Sequence, residues 1–180
     1  MKAGIWIIGI VFILGIASWK TNTNTEDHSG WLTIEEALKL QETNPKKWFV
    51  DVYTDWCGWC KRMDATTFKD ETILKELDEH YYKIRFDAEY KETIVIGDKE
   101  YKFVSEGRRG YHELAKQLLQ GRMSYPTVVF LDEDVNIIQP LPGFRPAKEL
   151  HPILQFIGED HYKTTTWESF QETYQSPASK

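Results

Sequence analysis

The sequence predicts an α/β protein in which a central mixed β-sheet carries helices on both faces. Two observations lead to this fold class. Apolar runs rich in β-branched and aromatic residues alternate with segments of helical periodicity, in the order strand, helix, strand, helix, strand, strand, helix. In addition, a length of 180 residues with 41% hydrophobic and 14% aromatic residues suits one domain with short appendages.

The charge balance excludes one class of function. The formal net charge is -6 at pH 7, and the sequence has no cluster of basic residues with interleaved aromatic residues. A nucleic-acid-binding surface needs such a basic patch, so we exclude nucleic acid as a partner.

The chain begins with features of an export signal. Lys2 precedes fifteen residues without a charge, at positions 3–17. We expect residues 1–19 to be either a signal peptide or an uncleaved N-terminal membrane anchor, and residues 20–30 to be a polar linker. In both cases the domain lies in the periplasm, and it touches a membrane only through residues 1–19 if they are retained.

The folded domain is predicted to begin with a helix. Thr33 and Glu36 have the spacing of a capping box, and apolar residues follow at helical intervals to about residue 43. Residues 48–53 are apolar except for Asp51 and form the first predicted strand. A second helical pattern follows directly, which predicts a tight turn between this strand and the next helix.

The cysteines of the chain lie at this turn. Cys57 and Cys60 are the only two. Side chains three residues apart share a helix face with Cβ atoms about 5 Å apart, and a small adjustment gives the roughly 4 Å of a disulfide. Cys57 lies where unpaired N–H groups and the helix dipole favour a thiolate, whereas Cys60 lies deeper and would resolve a mixed disulfide.

Two other uses of a Cys-x-x-Cys pair are less favoured. A structural zinc site needs four ligands, and the five histidines occur singly, without the spacing of zinc ligands. A static disulfide across so short a loop adds little stability. Redox chemistry is therefore the preferred interpretation, and we expect neither a metal nor an organic cofactor.

One segment resembles a known family. Residues 50–61, Val-Asp-Val-Tyr-Thr-Asp-Trp-Cys-Gly-Trp-Cys-Lys, resemble the active-site segment of the thioredoxin superfamily. Residues 55–63, followed by Thr67-Phe68 and Asp70-Glu71, resemble in particular exported bacterial thioredoxin-like proteins related to the C-terminal domain of the transmembrane disulfide reductase. The resemblance covers about residues 31–158 and implies a thioredoxin-like fold.

Asp51 is the expected proton acceptor. In a central strand its carboxyl group would be desolvated, which raises its pKa, and it could take the proton of Cys60 through a water molecule. Its position matches that of the buried acid in thioredoxin-like folds; a strand-end carboxyl that reaches solvent is the alternative. Lys83 falls where thioredoxins place a lysine that pairs with this acid, and a solvated lysine is the alternative there.

The residues expected to bind a substrate polypeptide are Trp56, Gly58, Trp59, Tyr125 and Pro126. Gly58-Trp59 stands where reductants of this family often carry Gly-Pro, and the two intervening residues help to set the stability of the thiolate. Trp56 and Trp59 are either exposed docking residues or lids over the first cysteine. The resemblance implies that Pro126 is cis and lies against the disulfide, which leaves the Tyr125 backbone free to pair with a substrate chain.

The rest of the domain alternates between helices and strands. Asp70 is expected to cap a helix, and residues 82–87 to form a strand. We predict an inserted β-hairpin at about residues 91–105, which either shapes a partner surface or has no functional role. The remaining predicted elements are a helix at 111–119, strands at 128–131 and 137–141, and a helix that Pro146 opens.

Residues 159–180 are predicted to be a C-terminal helical extension and tail. Thr165 and Glu168 have capping-box spacing. One face of the following helix is aromatic and would pack back on the domain. That face carries Trp167, Phe170 and Tyr174.

Together these features predict an exported, monomeric thiol-disulfide oxidoreductase that reduces disulfides in proteins or peptides through Cys57 and Cys60. Its electrons are expected to come from a membrane-bound dithiol protein. Two alternatives remain open: a disulfide oxidase or isomerase, and a peptide-binding module with a structural disulfide.

Overall fold

A computed structural model describes residues 30–176 of the chain. The helices of this part are α1 (Ile34–Gln41), α2 (Gly58–Ala65), α3 (Glu71–His80), α4 (Glu113–Leu118), α5 (Ala147–Gly158) and α6 (Trp167–Thr173). Its strands are β1 (Lys47–Tyr53), β2 (Tyr81–Asp87), β3 (Ile94–Ile96), β4 (Lys99–Tyr101), β5 (Phe103–Glu106), β6 (Arg109–His112), β7 (Thr127–Leu131) and β8 (Ile137–Pro142). The predicted signal peptide or anchor at 1–19, nearly all of the predicted linker and the last four residues lie outside the described part.

Four strands form the central sheet, in the order β2-β1-β7-β8. β1 pairs with β2 in parallel and with β7 antiparallel, and β8 pairs antiparallel with β7. The sheet is therefore mixed, as predicted. In this register Asp51 lies opposite Arg85 on one side and Val128 on the other.

The two faces of the sheet carry separate apolar cores. On one face Trp48, Val50 and Val52 pack with side chains of α1 and α4. On the other face Phe49 packs with side chains of α2, α3 and α5. Because successive residues of a strand point to opposite faces, β1 contributes to both cores, and its residues 47–52 are all buried. The predicted placement of helices on both faces is confirmed.

Two predicted helix caps are present. Thr33 Oγ1 accepts a hydrogen bond from the Glu36 N–H at 3.2 Å, and Glu36 Oε2 accepts one from the Thr33 N–H at 2.9 Å, which completes a capping box at α1. Asp70 Oδ1 accepts from the Thr72 N–H at 2.9 Å and caps α3. Both helices therefore begin where the sequence places their starts.

The insertion between β2 and α4 is larger than predicted. The expected hairpin is present as β3 and β4, with Gly97 in the turn at φ 59°. A second hairpin, β5 and β6, was not predicted; it pairs Phe103 with His112 and turns at Gly107. The helix predicted to start at residue 111 starts at 113 instead, because residues 111 and 112 extend β6 and the His112 ring caps α4 by accepting from the Leu114 N–H.

The C-terminal extension packs on α5 through aromatic rings. Phe170 of α6 is buried, and its ring centroid lies 5.2 Å from that of Phe156 in α5. The predicted cap of this helix is displaced by one residue: Thr166, not Thr165, is the N-cap, and its hydroxyl accepts from the Ser169 N–H. Between residues 30 and 176, no helix combines the length and the apolar character that a membrane crossing requires.

Candidate active site

The cysteine pair lies between the end of β1 and the start of α2. Cys57 is the N-cap residue of α2, and its Sγ accepts from the Cys60 N–H at 3.0 Å. The Cys57 N–H donates to the Thr54 carbonyl at 3.0 Å, which fixes the turn out of β1. A disulfide joins the two cysteines, whose Cα atoms are 5.3 Å apart. The predicted position at a strand-to-helix turn is confirmed.

The surroundings of the pair favour a thiolate on the first cysteine. A helix N-terminus presents unpaired N–H groups and the positive end of the helix dipole, and both stabilise a negative sulfur. Cys57 and Cys60 are 5% and 2% exposed, so the second thiol is the more shielded of the two. A Cβ atom at Gly58 would meet no other atom within 4 Å, so the space directly after Cys57 is open.

Asp51 is fully buried in the central strand, with 0% of its surface exposed. Within the described residues neither carboxylate oxygen has a hydrogen-bond partner. Burial raises the pKa of Asp51 to about 7, against the opposing effect of the Arg85 guanidinium and with a smaller upward contribution from Asp64. The alternative of a strand-end carboxyl that reaches solvent is therefore wrong, and the group can gain or lose a proton near neutral pH.

The expected pairing of Lys83 with Asp51 is wrong. Lys83 Nζ lies 2.6 Å from Asp78 Oδ1, at the end of α3. Arg85 is the cation that faces Asp51, with 3.6 Å between Arg85 Nε and Asp51 Oδ2. The strand register explains the difference, because Arg85 lies directly opposite Asp51 whereas Lys83 lies opposite Phe49, two residues or about 7 Å farther along the sheet.

Arg85 is the residue that the sequence reasoning missed. Its Nη2 lies 3.0 Å from Asp64 Oδ2, and its guanidinium stacks 4.3 Å above the Tyr53 ring. Alternation along β2 places Lys83 and Arg85 on one face, so alternation alone does not distinguish the two as partners of Asp51. Which of the two faces Asp51 depends on the register between β1 and β2, and this register cannot be read from the sequence.

The two tryptophans beside the disulfide are exposed. Trp56 is 49% and Trp59 57% exposed, which favours docking residues over lids. The Trp56 Nε1–H donates to Glu89 Oε1 at 3.2 Å, and its ring meets that of Tyr125 edge to face at 5.8 Å. The Trp59 ring lies 5.5 Å from that of Phe144, a residue that was not predicted for the site. Aromatic surface thus extends from both sides of the turn that carries the cysteines.

The peptide bond between Tyr125 and Pro126 is cis, as the resemblance implied. Tyr125 is half-buried, and burial raises the pKa of its phenol to about 12, so the hydroxyl stays protonated at neutral pH. No backbone hydrogen bond found between residues 30 and 176 uses the Tyr125 N–H or carbonyl. These groups can therefore pair with a second chain laid along the turn.

One group of potential metal ligands occurs in the described residues. Glu76, His80 and Glu159 each place one ligand atom within 4.8 Å of the others. Glu76 and His80 are four residues apart on α3 with 3.7 Å between Oε2 and Nε2, so their spacing on one helix face accounts for their approach. None of these residues belongs to the segments that carry the disulfide.

The chain is similar to one protein-family model and to several solved structures. A family model described as a thioredoxin-like domain matches residues 34–158. A candidate disulphide-isomerase from Bacteroides thetaiotaomicron is 30% identical over 69% of this chain and 87% of that chain, with a TM-score of 0.50. A thioredoxin-fold protein from Helicobacter pylori is 20% identical over 72% and 80%, with a TM-score of 0.54. The C-terminal domain of DsbD from Neisseria meningitidis, in its reduced form, is 23% identical over 67% and 90%, with a TM-score of 0.44.

The family match covers the sheet, the disulfide and the cis-proline turn together. The chain belongs to the thioredoxin-like family, and it carries at the start of α2 a Cys-x-x-Cys pair of the kind that thiol-disulfide oxidoreductases use.

Proposed function

We propose that the protein is an exported thiol-disulfide oxidoreductase that reduces disulfides in other polypeptides. The main supporting observation is the position of Cys57, which is the N-cap of α2 and lies within disulfide reach of Cys60. A thiolate is the nucleophile of disulfide exchange, and a helix N-terminus is a position that stabilises it.

The reaction begins from the reduced dithiol. The Cys57 thiolate attacks one sulfur of a substrate disulfide, so that a mixed disulfide forms and one substrate thiolate leaves. Cys60 then attacks the Cys57 sulfur, releases the second substrate thiolate and forms the Cys57–Cys60 disulfide. Two electrons pass from the protein to the substrate, and a further dithiol protein must return the pair to its reduced form.

Asp51 acts in the second step. The Cys60 thiol must lose its proton before it attacks, and a buried carboxylate with a pKa of about 7 is matched to accept that proton at neutral pH. In this proposal the proton passes from Cys60 to Asp51 through a water molecule. Arg85, rather than Lys83, is the cation that adjusts this carboxyl group.

The proposed cellular setting is supported by the sequence of residues 1–19. Their uncharged run after Lys2 supports export to the periplasm, either as a soluble protein or tethered to the inner membrane. A membrane-bound dithiol protein is then the proposed electron donor, and disulfide-bearing proteins or peptides are the proposed substrates of a monomeric enzyme.

Paired cysteine variants test the reductase proposal. We expect Cys57→Ser to abolish reduction of insulin and of disulfide peptides, and Cys60→Ser to accumulate a mixed disulfide on Cys57 that mass spectrometry detects. The circular dichroism spectra of both variants serve as the control for folding. Full biological activity in the double variant would contradict the proposal and favour a peptide-binding module.

The direction of electron flow is tested separately. A disulfide oxidase or isomerase is the second candidate, because Gly58-Trp59 replaces the Gly-Pro common in reductants and because a relative at 30% identity is a candidate disulphide-isomerase. Equilibration with glutathione buffers measures the reduction potential of the Cys57–Cys60 couple. A value of about -270 mV supports the reductase, whereas a value of about -120 mV makes the protein an oxidant.

A further inference from the structure

Each of the two exposed tryptophans beside the disulfide lies under an arginine. The Arg109 guanidinium carbon lies 4.1 Å from the centroid of the Trp56 ring. On the other side of the cysteine turn, the Arg62 guanidinium carbon lies 5.6 Å from the Trp59 ring and 5.7 Å from the Phe144 ring. Stacking holds a guanidinium over an aromatic face and leaves its N–H edge free to bind a carboxylate.

These two arginines have no acidic partner in the described part of the chain. Within residues 30–176 no carboxylate lies within 4.0 Å of either guanidinium, although Arg85 and Arg145 each face at least one. Both side chains are exposed. The two cations beside the disulfide are therefore available to an anionic ligand, although the protein as a whole has a net charge of -6.

The two arginines reach the disulfide from different parts of the fold. Arg62 lies three residues after Trp59 on α2, a spacing that places both side chains on one helix face. Arg109 begins β6 in the second hairpin of the insertion, about fifty residues after the cysteines. The insertion therefore contributes a charged group to the surface around Cys57.

We infer that Arg62 and Arg109 select substrates whose disulfide is flanked by acidic residues. This inference rests on the proposed function and adds a substrate class to it. A substrate chain that pairs with the free Tyr125 backbone and presents a sulfur to Cys57 passes between the two tryptophans. An Asp or Glu on each side of the substrate cysteine then meets one of the stacked arginines.

Glu89 opposes this selection on one side. Its carboxylate accepts from the Trp56 Nε1–H at the edge of the indole, whereas Arg109 covers the face. An acidic substrate residue near Trp56 is therefore attracted by Arg109 and repelled by Glu89, and the preference depends on the difference between the two. Replacing Glu89 with Gln should increase the preference for acidic peptides.

The test uses the Cys60→Ser protein, which stops at the mixed disulfide, and disulfide peptides that differ only in two flanking residues: Asp, Asn or Lys. The second-order rate of mixed-disulfide formation is measured by mass spectrometry. A close charge pair in water contributes about a fivefold rate difference, or about 1 kcal/mol, per arginine. We expect Asp peptides to react fastest and Lys peptides slowest. The ratio of the Asp rate to the Asn rate should fall about fivefold in Arg109→Gln and again in Arg62→Gln.

Matched variants separate a specific site from general charge. Arg108 and Arg122 are also exposed and, between residues 30 and 176, have neither a carboxylate partner nor a stacked ring, so Arg108→Gln and Arg122→Gln should change the ratio by less than twofold. Arg109→Lys keeps the charge but loses the planar stack and should give an intermediate ratio. In about 1 M salt, where the screening length is about 3 Å, the ratio should approach one.

The outcomes distinguish this inference from the proposed function. Equal rates for the Asp, Asn and Lys peptides, or a ratio that the Arg62 and Arg109 variants do not change, would overturn the acidic selection while reduction itself stands. If no peptide forms a mixed disulfide in any variant, the proposed function fails and the inference fails with it.

Discussion

Asp51 is a buried carboxyl group that the protein holds near its titration midpoint at neutral pH. Its pKa of about 7 results mainly from burial, since the carboxylate has lost its water and gains no hydrogen bond from the described residues. A raised pKa in an acid means that the folded state binds the proton more tightly than the unfolded state. Stability is therefore lost as the pH rises.

The first prediction concerns this pH dependence in the disulfide form. Between about pH 4, where the unfolded chain ionises, and pH 7, the Asp51 contribution to the free energy of unfolding should fall by about 4 kcal/mol in total. Asp51→Asn cannot titrate and should lack this fall. Urea unfolding of both proteins at pH 4.5, 6 and 8 measures the difference, and parallel pH curves would contradict the assignment.

The second prediction compares the two cations of β2. Arg85 lies 3.6 Å from the Asp51 carboxylate and lowers its pKa, so Arg85→Gln should raise that pKa by about one unit. Lys83 pairs with Asp78 instead, so Lys83→Gln is the matched control and should leave the Asp51 midpoint in place. Carboxyl carbon NMR of Asp51 across pH 5 to 9 measures this pKa in both variants. A change of the Asp51 pKa in Lys83→Gln alone would contradict the assignment and support the predicted pairing of Lys83 with Asp51.

The sequence could predict Asp51 but not its partner. A single charge in an otherwise apolar strand is visible as a pattern, and its burial follows from the strand being central. The identity of the facing cation depends on how far β2 slides along β1, and a slip of two residues exchanges Lys83 for Arg85 without changing which side chains face the core. Local patterns therefore cannot determine this pairing.

At the scale of elements, the second hairpin is the least predictable part of the fold. The Gly97-Asp98 turn between β3 and β4 is a recognisable hairpin signal. The strands β5 and β6 are only four residues long and contain charged residues and a glycine, so neither shows clear alternation. Their pairing depends on packing around Gly110 rather than on strand propensity.

Gly110 gives the third prediction. A Cβ atom there would lie 2.3 Å from both the Phe103 ring and the Val104 carbonyl oxygen, and the backbone oxygen cannot turn aside. We expect Gly110→Ala to lower the free energy of unfolding by about 2 kcal/mol and to displace Arg109 from Trp56. Chemical denaturation measures the first effect, and the peptide rate ratio described above measures the second.

The control for this prediction is the other glycine beside the site. A Cβ atom at Gly58 meets nothing within 4 Å, so Gly58→Ala should change stability by less than about 1 kcal/mol, in the stabilising direction that helix propensity favours. An effect of Gly110→Ala on stability as small as that of Gly58→Ala would contradict the prediction and show that the hairpin moves to relieve the crowding at Gly110.

At the scale of the whole molecule, the C-terminal extension packs against one side of α5. Phe170 lies among the rings of Phe156, Trp167, His161 and Tyr174, with centroid separations from 4.9 to 5.9 Å. The Tyr174 hydroxyl lies 2.9 Å from Nδ1 of the buried His151. The aromatic spacing predicted that this helix packs on the domain, but only the structure identifies α5 as the surface that receives it.

The fourth prediction tests whether the extension and the domain unfold together. Phe170→Ala removes a buried ring and should lower the free energy of unfolding by about 3 kcal/mol in one cooperative transition. Glu172→Ala, at an exposed position on the same helix, should change it by less than about 0.5 kcal/mol. A separate early transition in the Phe170 variant would instead show that residues 159–176 unfold independently.

The exposed indoles of Trp56 and Trp59 give the protein an optical signal of its own. Both rings belong to residues directly next to a cysteine of the pair, and a disulfide quenches the excited state of a nearby indole more strongly than two thiols do. Reduction should therefore raise the intrinsic fluorescence. A polypeptide that covers the rings should shift the emission to shorter wavelength, so the oxidation state and occupancy of the site can be followed in real time without a label.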